Sequence, residues 1–98
     1  MEITKALCLS TMHIKEQTAR WLDAHHTDFG APFTVWEGEH GYFIPTHWAR
    51  PGYEPHEGFK RVPEELRACA MLADANDCSF LRLDNDGPVI DYLPTFEW

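Results

Sequence analysis

The sequence predicts an α+β fold: a two-layer sandwich in which a mostly antiparallel five-stranded sheet carries two helices, in the order β-α-β-β-loop-α-β-β. Three stretches carry that expectation. Residues 62–93 read as a capped helix feeding a β-hairpin, residues 33–46 as a second hairpin, and residues 3–26 as a strand followed by a helix. Both helices on one face of the sheet is the simplest packing, and one helix on each side is the alternative. At 98 residues the chain makes a single domain, 1–98, with room for one core.

Each element has its own signal. Residues 3–9 alternate Ile3, Lys5, Leu7 and Leu9 against Thr4, Ala6 and Cys8, a strand that turns apolar on both faces and so is expected inside the sheet. Ser10, Thr11 and His13 are candidate helix caps. Ile14, Thr18, Trp21, Leu22 and His25 share one face of a helix over about residues 13–26. Asp28, Gly30 and Pro32 mark a loop. Strands over 33–37 and 42–46 flank Gly38-Glu39-His40-Gly41; with Glu39-His40 at the tip, Val35 opposes Ile44 and Trp36 opposes Phe43, so both faces are apolar. One face suits a helix. The face with Trp36 and Phe43 needs another cover.

Residues 47–61, HWARPGYEPHEGFKR, form a long irregular loop of the kind that is often functional. Pro63 suits a first helical position, where a missing N–H costs nothing, and Glu64 and Glu65 meet the positive end of the helix dipole. Leu66, Cys69, Ala70 and Ala73 fall at i, i+3, i+4 and i+7, with Asn76 and Asp77 as stop residues. Strands over 79–84 and 88–93 then flank Asp86-Gly87, a type I′ turn signal. In that register Leu83 faces Ile90, Leu81 faces Tyr92, and Arg82 faces Asp91 as an opposite-charge pair. Pro94 ends the last strand, and Phe96 and Trp98 are expected to pack back on the body.

Composition narrows the function classes. The formal charge is −8, from 16 acids against 8 bases, so the basic footprint of a nucleic-acid binder is absent and direct DNA or RNA binding is disfavoured. No apolar run approaches the roughly 18 residues of a membrane span, and no leader precedes the first strand; a cytoplasmic, membrane-free protein is the expectation. Cys8, Cys69 and Cys78 make an odd set without a CxxC pair, which predicts buried free thiols in a reducing compartment.

Three stretches resemble a known group. These are LCLST followed by a helix with Trp21-Leu22, PEELRACAMLADANDCSFLRLD, and the closing DGPVIDYLPTFEW. Together they resemble a family of small uncharacterised proteins, domains of unknown function, carried on bacterial plasmids and integrated mobile elements. Its members typically end in Leu-Pro-x-aromatic-acid-Trp. The resemblance covers nearly the whole chain except the central loop. It implies a bacterial cytoplasm and an accessory role on a mobile element, and it implies no activity or catalytic residue.

Chemical motifs are weak. Six histidines, His13, His25, His26, His40, His47 and His56, raise a metal site, but no standard zinc spacing occurs. His47 and His56 share the loop with Glu54 and Glu57; His56-Glu57 opens like HExxH, yet Lys60 stands where the second histidine is required. A general base at His25 or His26, beside Asp23 or Asp28, would need Ser10, Thr11 or Cys8 as nucleophile, and no nucleophile elbow is present. Asp84-Asn85-Asp86-Gly87 lacks the later calcium-loop ligands: Val89 and Thr95 stand at the sixth and twelfth positions. No catalytic residue, metal or cofactor is expected.

The expected function is a non-enzymatic interaction module that contacts a protein partner, or a second copy of itself, through an aromatic hairpin and loop. Trp36, Phe43, Trp48, Arg50 and Tyr53 are the candidate contact residues, since rings and Arg anchor interfaces. Two other readings stand beside it. One is a small metal-dependent or hydrolytic enzyme using the loop histidines. The other is an acidic DNA mimic that occupies a host DNA-binding protein, suggested by six acids against one Arg over residues 74–98, Asp84, Asp86 and Asp91 among them.

Overall fold

The computed structural model describes residues 3–25, 33–49 and 61–97. They form β1 (Ala6–Ser10), α1 (Glu16–His25), β2 (Trp36–Gly38), β3 (Gly41–Pro45), α2 (Glu64–Ala75) and β4 (Phe80–Asp84), with 3-10 turns at Thr11–His13 and His47–Ala49. The class is α+β as expected. The sheet, however, has four strands in the order β1-β4-β3-β2 and is mixed: β1 runs parallel to β4, and the other neighbours are antiparallel.

The fifth strand is lost for a geometric reason. β4 has β1 on one side and β3 on the other, so neither edge is free for residues 88–93. A turn does form, but over residues 84–87 and not as type I′: Gly87 N–H donates to Asp84 O, the Asp84 carboxylate accepts from Asp86 N–H, and neither Asp86 nor Gly87 takes a positive φ. The chain then leaves the sheet across the end of β1, where Pro88 O accepts from Ser10 N–H at 2.8 Å. Gly87 permits this crossing, because a Cβ there would lie 2.6 Å from Leu9 O. The expected Leu83–Ile90, Leu81–Tyr92 and Arg82–Asp91 pairs therefore do not form. Ile90 packs on the core, Tyr92 is 86% exposed, and Arg82 pairs with Asp84 at 2.9 Å. β1, expected inside the sheet, lies at its edge.

The 33–46 hairpin holds its expected register, with Trp36 opposite Phe43 and Gly38 opposite Gly41. Side chains alternate along each strand, so Leu7 and Leu9, Leu81 and Leu83, and Tyr42 and Ile44 share one face. Ile14, Ala19 and Leu22 from the α1 region and Leu66, Cys69, Ala70 and Ala73 from α2 join that face in one buried cluster. Both helices thus cover the same side, and the arrangement with a helix on each side is excluded.

Local chemistry sets the ends of the helices. None of the three candidate residues caps α1. The Ser10 hydroxyl instead accepts from Met12 N–H in the 3-10 turn, and the entry to α1 is held from outside. Glu65 reaches over from α2, its carboxylate accepting from Lys15 N–H at 3.2 Å and from the Thr18 hydroxyl. Pro63 lies just outside α2: its ψ of 142° is extended, and its carbonyl accepts the first helical bond, from Arg67. α2 ends in a Schellman motif, in which Cys78 N–H donates to Ala73 O and Asp77 N–H to Asp74 O while Asp77 takes φ 60°.

The tail is fastened to the first turn. His13 is fully buried, with Nδ1 2.9 Å from Pro94 O and Nε2 3.0 Å from Ile90 N. A neutral ring protonated on Nδ1 satisfies both contacts, donating to the carbonyl and accepting from the amide. Phe96 N–H donates to Met12 O, and the Lys15 ammonium sits over the Phe96 ring, 5.5 Å from its centroid. Phe96 thus packs back as expected, while Trp98 lies outside the described residues.

Candidate functional site

The second face of the sheet is a grid of side chains that strand register lays out row by row. One row runs Cys8, Arg82, Phe43 and Trp36 across all four strands; the next holds Ala6, Phe80 and Pro45; the third holds Ser10, Asp84, Gly41 and Gly38. No helix among the described residues covers it. Three rings meet there: Phe43 stacks on Phe80 at 4.9 Å, and Trp36 lies 5.8 Å from Phe43 and 6.3 Å from Phe80. Trp36 is 49% exposed, and Phe43 and Phe80 are half-buried. Offset and edge-on rings of this kind hold one another in place without a surrounding core.

The sequence-derived contact residues separate. Trp36 and Phe43 are together on this face. Trp48 is drawn to the other side, buried with its ring stacked on Phe33 at 4.5 Å and its indole N–H donating to Pro45 O. Arg50 and Tyr53 lie outside the described residues, as do His56, Glu54 and Glu57. Phe80 and Arg82 replace them on the open face. The signal for Phe80 was the alternation of Phe80, Arg82 and Asp84 with buried Leu81 and Leu83; pairing that strand with residues 41–45 puts Phe80 beside Phe43.

Charge at the hairpin end is mostly negative. Asp84 is held below the usual carboxylate range, chiefly by the bond from Asp86 N–H and then by Arg82. On the helix side, between the hairpin and α1, a cleft of about 380 Å³ is lined by Glu16, Arg20, Asp23, Glu37, His40 and Tyr42, among others. The Tyr42 hydroxyl donates to Asp23 Oδ1 at 2.7 Å; burial first, then that carboxylate, push its pKa far above the usual value. Tyr42 is therefore a structural donor, bracing β3 against α1.

The described residues hold no group of three or more His, Cys, Asp or Glu side chains that could hold a metal ion. His13 is engaged at both nitrogens, and His47 is exposed on its 3-10 turn. All three cysteines are free thiols, as expected, although Cys8 is only half-buried because β1 is an edge strand. No helix among the described residues is long and apolar enough to cross a membrane.

Residues 6–98 match the family model described as the family of unknown function DUF5983, C-terminal domain. The chain belongs to that family. A domain of unknown function is what the three sequence stretches implied, and the match spans the grid, both helices and the fastened tail. No curated protein and no solved structure matches the chain.

Proposed function

We propose that this chain is a non-enzymatic interaction module, an accessory protein of a bacterial mobile element that works in the cytoplasm and contacts a protein through the open face of its sheet. The observation that supports this is the ring cluster of Trp36, Phe43 and Phe80, with Trp36 half-exposed on a face no described helix covers. Large rings that are fixed before binding contribute contact area at little cost in conformational freedom, which is why they anchor interfaces. The mobile-element setting rests on the sequence resemblance alone.

The molecule supplies its own control. Met71 on α2 is as exposed as Trp36, 50% against 49%, but sits on the helical layer. Trp36→Ser is expected to abolish association, read as particle size across concentration and as capture of bacterial-extract proteins, while Met71→Ser leaves it intact. Equal behaviour of the two variants, or no association by the unaltered chain in any condition, would overturn the proposal.

A further inference from the structure

The open face contains a hollow whose chemistry specifies what fills it. Gly38 and Gly41 oppose one another in the row next to Trp36 and Phe43, and neither places a side chain there. The result is a cavity of about 220 Å³ bordered by the Trp36 and Phe43 rings, Glu39, Arg82 and Asp84. That is below the ~300–1,000 Å³ of small-molecule sites, and suits one long side chain. Two carboxylates line it, those of Glu39 and Asp84, against the single guanidinium of Arg82, which is itself tied to Asp84 at 2.9 Å. β2 is the edge of the sheet, and all three of its residues are exposed.

Resting on the reading of the open face as a protein-contact surface, we propose that this hollow receives an arginine or lysine side chain from a basic, extended segment of a partner protein. The ring faces of Trp36 and Phe43 attract a cation through their quadrupoles. The carboxylates supply the complementary charge, and the −8 of the whole chain steers a basic partner toward it. A strand laid beside β2 would point every second side chain to the open face, so that one falls in the Gly38–Gly41 row. A second copy brings −8 against −8 and is the poorer occupant.

The test uses a short peptide alternating valine with arginine, and its twin with neutral citrulline in place of arginine. Binding is read by calorimetry and by the NMR shift of the Trp36 indole N–H. The arginine peptide is expected to bind, shift that resonance, and outbind the citrulline twin by about tenfold. Gly38→Val places a branched side chain in the hollow, and its Cβ meets only Gly41 O, at 3.9 Å. This variant is expected to melt like the unaltered chain and to hold the arginine peptide no better than the twin.

Equal binding of the two peptides, binding by neither, or full binding by Gly38→Val would each overturn the inference. So would shifts centred on Asp23 and Tyr42, or a dimer of the chain that Gly38→Val dissolves. If association in the full chain depends on Trp36 while the arginine peptide is ignored, the contact surface stands and this inference alone falls. If association is indifferent to Trp36 as well, both fall.

Discussion

The two faces of β4 share one backbone and differ in what lies over them. Leu81 and Leu83 are 0% and 1% exposed beneath the helical layer. Phe80, Arg82 and Asp84, each one residue away, point to a side where, among the described residues, the Trp36, Phe43 and Phe80 rings lie against one another and Arg82 is exposed. Since strand geometry is common to both, the contrast comes from the cover alone. The closed face carries the stability of the domain, and the open face is left to do something else.

That contrast can be broken, and the largest expected effect is kinetic. Cys8 lies on the open face, half-buried, while Cys69 is sealed on the inner side of α2, its thiol pushed up to about 12 by burial and then by the Glu65 charge. A thiol reagent should label Cys8 in the native protein and Cys69 about a thousandfold or more slowly, because Cys69 must wait for opening. Comparable rates, measured by peptide mass spectrometry, would mean the closed face is not closed.

Smaller effects sharpen the comparison. Leu81→Ala should cost about 3 kcal/mol in urea denaturation, from lost burial and the cavity left behind. Arg82→Ala, next to it on the open face, should stay within about 0.5 kcal/mol. His13→Ala should cost about 2 kcal/mol, since it strands the Ile90 N–H and Pro94 carbonyl; hydrogen exchange at Ile90 should quicken with it.

Glu65→Gln should cost about 1 kcal/mol by weakening the bracket between the helices, and its effect is pH-dependent. Burial raises the Glu65 carboxyl, but bonds from the Thr18 hydroxyl, its own backbone N–H and the Lys15 N–H, with the Lys15 charge, bring it below its ordinary 4.5. A lowered native value means the contribution is fully present above 4.5 and fades as pH falls through the native value. The Gln variant should lack that part of the acid dependence. Trp36→Ser should have the smallest effect, under about 0.5 kcal/mol, as expected of a half-exposed ring.

What the sequence could show was decided by range. α2 was readable because Leu66, Cys69, Ala70 and Ala73 repeat at helical spacing, and all four are buried. The Trp36–Phe43 register followed from a tip only two residues long. The 79–93 hairpin failed, and its turn closes one residue early without the positive φ of a type I′ turn, because a parallel partner more than seventy positions away occupies the strand edge it needed. Trp48 and Trp36 looked alike as aromatic residues of one region; Phe33, across a loop, is what takes Trp48 into the core. Two of the three rings in the cluster were visible through the local hairpin, and Phe80 was hidden with the long-range pairing that places it.

The strand that joins the sheet, β4, follows all of its partners in the chain. β1 and the β2–β3 hairpin touch the sheet only through it, so until Asp84 has emerged they are two unjoined fragments. The sheet therefore closes only once residues 80–84 have been made, and a stop codon ahead of Phe80 would leave its strands in two parts.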